Sequence, residues 1–190
     1  MRPEFEPFPK IPRWSGDVVI TEKIDGTNAT IYIGDDGEFA VASRNRWITP
    51  DADNFGFARW AYGHEAELRE LGPGWHRGEW WGQGIQRGYG LDEKRFSLFH
   101  TWGIAHKPDC ISVVPTLYEG PLVDGVVQQT LDDLKDFGSS AAFGFLDPEG
   151  ICIYHTRSKQ IYKRTFEHDE HGKDASALVR AESKSAGVSQ

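Results

Sequence analysis

The chain of 190 residues has the 38% hydrophobic and 26% charged content of an ordinary soluble domain. Its formal net charge of −8 argues against a protein that coats nucleic acid, because that binding depends on Lys and Arg neutralising phosphates. An enzyme that grips one nucleic-acid end through a local basic cluster is left open. There is no apolar run of membrane-span length, no signal-peptide pattern, and no zinc or disulfide pattern around Cys110 and Cys152, so we expect a soluble, cytoplasmic protein.

Strand patterns dominate the beginning of the chain. Residues 17–24 are rich in β-branched side chains, and residues 29–33 alternate between apolar and polar as half-buried strands do. The turn sequence Gly-Asp-Asp-Gly at residues 34–37 then predicts a hairpin, with its partner strand at residues 38–43. This part of the chain therefore predicts an antiparallel sheet.

The period of the apolar residues changes after the third predicted strand. From Phe57 to Leu71 they recur at helical spacing, which predicts a helix over this segment. Asp53 or Asn54 is suited to be its N-cap, and the Gly-Pro pair at 72–73 stops it.

The later elements complete a predicted α+β fold. Further strands are predicted at 75–81, 96–104, 150–155 and 160–166, with a short helix at 130–137 capped by its Thr. Many strands joined by hairpins, with few helices between them, indicate antiparallel sheets and not a parallel βαβ fold. The chain becomes polar near its end, so we expect one domain over residues 1–167 and a flexible polar tail over residues 168–190.

Residues 22–28, Glu-Lys-Ile-Asp-Gly-Thr-Asn, are the first candidate for chemistry. An Asp-Gly pair between two strands is by itself a hairpin signal, and on that interpretation Lys23 is a solvated turn residue. The pattern Lys-x-Asp-Gly-x-Asn also resembles the nucleotidyltransferase motif of the covalent ligase superfamily. In that superfamily the lysine attacks the α-phosphate of ATP.

The rest of the chain favours the second interpretation, because more segments resemble the superfamily's motifs in its own order. These segments are Ser-Arg at 43–44, Arg-Gly-Glu-Trp at 77–80, Gly-Gln-Gly-Ile-Gln at 82–86, Phe-Ser-Leu-Phe at 96–99, Pro-Glu-Gly-Ile at 148–151 and Ile-Tyr-Lys at 161–163. Asn28 stands where DNA ligases and capping enzymes usually carry Arg, and it resembles the RNA ligases related to the second phage T4 enzyme. The resemblance implies that the α+β fold is a nucleotidyltransferase (ligase adenylation) domain. It also implies an ATP-dependent RNA ligase that forms a lysyl-AMP intermediate.

The resemblance also implies roles for the residues that act on the phosphates. Lys23 would be the nucleophile, and Arg44 and Lys163 would be cationic clamps on the phosphates. A free lysine is almost wholly protonated at pH 7, so attack requires desolvation or a nearby cation such as Lys163 to favour the neutral amine. Glu149 would hold Mg²⁺ or Mn²⁺, because hard cations prefer carboxylate and phosphate oxygens.

The remaining site residues would bind the rest of the ATP. Glu79 is suited to the ribose hydroxyls, and Phe99 offers a ring face to adenine. Glu22 and Asn28, which flank the nucleophile, are expected to help bind the nucleotide. The partners would be RNA ends, held best in a nicked duplex whose complementary strand aligns them.

Two features depart from the family pattern. The closing motif of the family commonly has two lysines at i and i+2, whereas Lys163 is accompanied only by Ile161 and Thr165. Ligases of this type also usually carry a C-terminal domain, which we expect to be absent or supplied by a separate chain. A DNA ligase or capping-type transferase is therefore an alternative, although Asn28 argues against it. A nucleotide-binding module that has lost sealing is another.

Overall fold

The computed structural model describes residues 3–11, 13 and 15–167, and its strands form two sheets. The predicted tail over 168–190 lies outside the described residues. The four-stranded sheet has the order β10-β9-β1-β8 and is antiparallel throughout. It consists of β1 (Asp17–Lys23), β8 (Thr116–Pro121), β9 (Gly150–His155) and β10 (Gln160–Thr165).

The six-stranded sheet has the order β4-β3-β2-β5-β6-β7 and is antiparallel except for the β6–β7 pair. It consists of β2 (Thr27–Ile33), β3 (Phe39–Ser43), β4 (Trp47–Ile48), β5 (Gly74–Gly82), β6 (Lys94–Leu98) and β7 (Ser112–Val113). Together with three α-helices, the two sheets confirm the predicted α+β class with antiparallel sheets.

The helices lie near their predicted positions but with different ends. The helix predicted from Phe57 is α1 (Phe57–Gly63), followed by α2 (Glu65–Leu68) and a 3-10 turn up to Leu71. The Asp53 carboxylate accepts the N–H groups of Ala58 and Arg59 at 2.7 and 3.1 Å, which satisfies donors of the first turn.

The second long helix, α3 (Val126–Phe137), begins four residues earlier than predicted, after Gly125 with φ 83. Thr130 is therefore not an N-cap, because its hydroxyl lies inside the helix and donates to the Val126 carbonyl at 2.8 Å. In the part of the chain that the structure describes, no helix is long and apolar enough to cross a bilayer.

Each sheet packs one face against helices. The opposite face, called the open face, is partly exposed, and on the six-stranded sheet it is buried around Trp81 by a third apolar cluster. The six-stranded sheet packs Ile31, Trp80 and Phe96 against Phe57 and Leu68 of the first two helices. The four-stranded sheet has its own apolar cluster with α3, formed by Val18, Ile20, Ile151, Ile153, Leu131 and Leu134. Burying each such side chain contributes roughly 1.5–3 kcal/mol, so both inner faces are firmly fixed. The candidate site residues are found on the open faces.

The connection between β1 and β2 is not the hairpin that its Asp-Gly pair signals. β1 pairs with β8 and β9, whereas β2 pairs with β3 and β5, so residues 24–26 cross from one sheet to the other. A Cβ on Gly26 would lie 2.5 Å from the Trp80 carbonyl oxygen and 2.8 Å from the Trp81 Cβ. Glycine is therefore required at this position, because the crossing lies directly on β5.

Candidate active site

The strand register places two of the predicted lysines on the open face of the four-stranded sheet. Lys23 is opposite Gly150 of β9, while Thr21 is opposite Cys152, which is in turn opposite Lys163 of β10. Directly opposed residues of an antiparallel ladder point to the same face. Lys23 and Lys163 therefore share a face, one row of residues apart along the strands.

Lys23 forms an ion pair with Glu149, the predicted metal-binding residue. Its Nζ lies 2.5 Å from the Glu149 carboxylate, and both side chains are partly buried. The following residue, Gly150, has φ 150 and packs so tightly that a Cβ there would clash with the Arg164 carbonyl. This close packing of β9 on β10 fixes the backbone beside Glu149 and aims its side chain at the lysine.

On the other side of the β1–β2 connection, the six-stranded sheet contributes a row of hydrogen-bonded polar side chains. Asn28 and Glu79 are opposite each other in the β2–β5 ladder, and the Asn28 amide nitrogen donates to the Glu79 carboxylate at 2.9 Å. Arg44, just beyond the end of β3, donates through Nε to the Asn28 amide oxygen at 2.6 Å. Three predicted site residues thus form one hydrogen-bonded row.

Glu79 supplies the carboxyl group of this row, and its pKa is strongly shifted. Burial raises its pKa to about 7, against the lowering effect of the Asn28 hydrogen bond and of Lys23, while Glu149 raises it further. The residue is 8% exposed, so desolvation is the dominant effect. The influence of Lys23 and Glu149 on Glu79 also shows that groups from the two sheets face one another.

The thiol of Cys152 lies on the floor of the site between these charges. Burial raises its pKa, Lys23 and Lys163 lower it, and Glu149 and Glu79 raise it. Four of the predicted site residues are therefore near enough to Cys152 for their charges to act on its thiol. Within the described residues, Lys163 is an exposed cation outside any ion pair, so it is available to an anionic group.

Phe99 follows the end of β6 and keeps an exposed ring. Ser97 is opposite Glu79, so Phe99, two residues further on, lies on the same side of the strand. Its backbone N–H donates to the Arg77 carbonyl at 3.0 Å, which holds it beside β5. The ring can therefore offer a face to a planar ligand on this side of the sheet.

Glu22 points away from the other candidates and is 1% exposed. Its carboxylate accepts the Ser139 hydroxyl at 2.6 Å and the backbone N–H groups of Ser140 and Ala141 at 2.8 and 2.9 Å. Burial raises its pKa, and these three hydrogen bonds oppose that rise. In this structure Glu22 anchors a loop on the reverse side of β1, and direct binding of a nucleotide by its side chain stays a prediction.

Comparison with known proteins decides the family. The RNA ligase family model matches residues 16–171, which is most of the chain. This chain belongs to the RNA ligase family. The resemblance inferred from the motifs is thereby confirmed at the level of the family. No curated protein matches the sequence.

Solved structures similar to this RNA ligase family member include several of the Naegleria gruberi RNA ligase. The enzyme with PPi is 21% identical, with a TM-score of 0.58, and the match covers 84% of this chain and 52% of that chain. An apo mutant is 23% identical with a TM-score of 0.59, covering 79% and 49% of the two chains. A mutant with AMP and Mn is 21% identical with a TM-score of 0.57, again covering 79% and 49%. These matches establish a shared fold, and the chain spans about half the length of these enzymes.

One residue near the site of this family member was not predicted from the sequence. Arg87, in the Gly-rich segment after β5, forms ion pairs with Asp25, Asp147 and Glu167 at 3.2, 2.6 and 3.5 Å. These carboxylates lie just after Lys23, just before Glu149 and just after β10. Arg87 therefore ties together the three segments that carry the predicted nucleophile, metal ligand and closing lysine.

Tyr89, two residues further on, supports the same turn. Its hydroxyl accepts the N–H of Asp25 at 2.8 Å, and burial raises its pKa. The sequence carries no signal for the partners of Arg87 or Tyr89, because they depend on contacts between residues distant in the chain.

Proposed function

We propose that this chain is the nucleotidyltransferase part of an ATP-dependent RNA ligase, formed by residues 1–167. Lys23 would take AMP from ATP, pass it to the 5′-phosphate of an RNA end, and that end would be sealed to a 3′-hydroxyl. The observation that carries the proposal is the Lys23–Glu149 pair facing the row of Arg44, Asn28 and Glu79. Membership of the RNA ligase family supports it, as do the similar solved structures of the Naegleria gruberi RNA ligase with ATP and Mn, with AMP and Mn, and with PPi.

The first chemical step forms a P–N bond between Lys23 and AMP. An ammonium group has no lone pair for attack, so Nζ must first release a proton to solvent. The neutral amine then attacks the α-phosphorus, the bond from that phosphorus to the β-phosphate oxygen breaks, and pyrophosphate leaves with the bonding electrons. Arg44 and Lys163, whose side chains are both exposed, would hold the phosphates.

The residues present suit a divalent cation shared with the phosphates. Within the described residues there is no cluster of three or more His, Cys, Asp or Glu that could hold a metal alone. Mg²⁺ characteristically uses one or two carboxylates together with substrate phosphates, and Glu149 is one such carboxylate. When bound, the metal would neutralise charge that develops on the transferring phosphate.

Glu79 and Phe99 would position the nucleoside. A buried carboxylate that already accepts one amide donor has further lone pairs for the ribose hydroxyls. Stacking on Phe99 tolerates any base, so preference for adenine must come from hydrogen bonds at the base edge. RNA ends, best presented as a nick in a duplex, are the proposed second substrate.

The decisive experiment is covalent labelling with α-labelled ATP and Mg²⁺. We expect a label that survives denaturation and is released by acid, as a P–N bond to lysine is. Lys23→Ala should abolish it, and so should Lys23→Arg, because guanidinium stays protonated at any working pH. Lys135→Ala, at an exposed position of α3, is the matched control and should label normally. A folded Lys23→Ala protein that still labels would show that the nucleophile is elsewhere.

A further inference from the structure

Three aromatic rings lie together on the open face of the six-stranded sheet, outside the apolar cores. Tyr32, Trp47 and Trp75 form this aromatic patch, with ring centroids 4.8 Å apart for Tyr32–Trp75, 5.6 Å for Trp47–Trp75 and 6.1 Å for Tyr32–Trp47. The two Trp residues are 53% and 51% exposed. Leaving two such large apolar side chains in water is unfavourable, and contiguous exposed patches commonly mark binding sites.

The strand register shows that the aromatic patch continues the candidate active site. In the β2–β5 ladder, Asn28 is opposite Glu79 and Tyr32 is opposite Trp75, four residues further along the same strand. Side chains two residues apart share a face and are about 7 Å apart, so the far edge of the patch is about 14 Å from Glu79. Trp47 is opposite Ala42, which places it in the row between.

Ala40 and Ala42 occupy the same face of β3, beside Tyr32 and Trp47. Their small side chains leave the rings standing above the sheet surface. The aromatic patch therefore projects from the sheet surface. Its first ring, that of Trp47, lies one row of residues from Asn28 and Glu79.

The charges around the patch suit an anionic strand. The guanidinium of Arg77 lies over the Trp75 ring, 5.7 Å from its centroid. Along β5, Arg77 is between Trp75 and Glu79. Arg44, which donates to Asn28, precedes Trp47 in the β3–β4 turn, whereas the guanidinium of Arg46 is held by the carbonyls of residues 52 and 53. Asp35, Asp36 and Glu38 are in or just after the hairpin turn beyond Tyr32, at the end away from the site. Cations therefore lie between the site and the rings, on a chain whose overall net charge is −8.

We propose that the aromatic patch stacks unpaired bases of a polynucleotide strand whose end lies at Lys23, with Arg77 on the backbone between them. Exposed aromatic rings interleaved with arginines are the means by which proteins hold single strands. The proposal rests on the proposed function for the identity of that end. To the nicked duplex it adds a second kind of substrate, ends with unpaired bases beside them. Because stacking uses base faces, binding should tolerate changes of sequence and sugar and should weaken as salt is raised.

The test measures binding of a 5′-phosphorylated, single-stranded oligoadenylate of about 12 nucleotides. We expect Trp75→Ala and Trp47→Ala each to bind it roughly five- to tenfold more weakly than the unchanged protein. Trp75→Phe should retain most of the affinity, since it keeps an aromatic face. Phe137→Ala removes a ring that is 81% exposed on α3, behind the four-stranded sheet, and it should bind normally. All four variants should form lysyl-AMP as the unchanged protein does.

The two proposals fail in different ways. If the unchanged protein labels with AMP but the oligoadenylate binds equally well to Trp75→Ala, Trp47→Ala and Phe137→Ala, the patch is not a base-stacking site and the proposed function stands. If the unchanged protein labels but does not bind the oligoadenylate, the patch proposal is also overturned, and a protein partner becomes the occupant to seek. If no AMP label forms but binding depends on Trp75 and Trp47, the patch proposal stands and the ligase proposal fails.

Discussion

Replacing Glu79 by Gln should make the protein more stable at neutral and alkaline pH and should weaken its binding of ATP. The substitution removes the charge but keeps a carbonyl oxygen for the amide of Asn28. The pKa of Glu79 rises from 4.5 to about 7, mainly through burial. Between these two values the folded protein binds a proton that the unfolded chain has lost, so stability falls as pH rises through this interval. Above pH 7 the full cost of a buried carboxylate is present.

The size of this cost follows from the shift in pKa. Each unit corresponds to 1.36 kcal/mol, so the rise from 4.5 to about 7 is worth about 3 kcal/mol above pH 7 and under about 1 kcal/mol at pH 5. Urea unfolding of the unchanged protein and of Glu79→Gln, at several pH values from 5 to 8, measures the difference directly. Glu79→Gln should be more stable at pH 8, and the gain should shrink toward pH 5.

The same variant should bind ATP less well. A carboxylate accepts hydrogen bonds from ribose hydroxyls more strongly than a neutral amide does, so we expect the ATP concentration for half-maximal labelling to rise about tenfold. A gain in stability that is equal at pH 5 and pH 8 would refute the argument from burial. A loss of stability at pH 8 would refute it more strongly, because it would mean that the charged Glu79 is stabilised by its neighbours.

Three further outcomes test the remaining roles. Glu149→Ala should lose labelling that depends on Mg²⁺ or Mn²⁺. It should keep a near-normal unfolding midpoint, because a partly exposed ion pair is worth about 1 kcal/mol or less. An unchanged metal requirement would remove Glu149 from the site. Labelling by ATP should exceed labelling by GTP, and comparable adducts from both would favour the capping-type alternative. Matched nicks that differ only in whether the 3′-terminal sugars are ribose or deoxyribose should be sealed unequally at low and moderate salt, in favour of ribose, through contacts to the terminal 2′-hydroxyl. Equal sealing of both would reject the preference for RNA.

The sequence predicted the elements better than it predicted their partners. Alternation and turn residues located β1, β2, β3, β5 and β9 to within about two residues, because these signals are local. The short strands β4 and β7 were not predicted, since two residues carry no period, and β8 was missed between prolines. The strand predicted at 96–104 ends at Leu98, after which the chain leaves the sheet.

In the candidate site, too, the residues were predicted better than the contacts between them. The order of the motifs was enough to select Lys23, Glu79 and Glu149, and the fold brings these side chains to one place. The hairpin signal at Asp25-Gly26 was misleading, because turn chemistry does not determine which strands pair across a fold. The three carboxylates that pair with Arg87 come from separate segments, and only the folded chain brings them together.

The position of β1 in its sheet has a consequence for how the protein is made. β1 is the first strand along the chain, yet both of its neighbours, β8 and β9, come from the second half. The Lys23–Glu149 pair closes a loop with a sequence separation of 126 residues. Non-local pairing of this kind slows folding, because the entropy of closing the loop is lost before the contacts form. During synthesis the apolar β1 therefore has no partner strands until β8 and β9 have been made. The Lys23–Glu149 ion pair cannot form until most of the domain has left the ribosome.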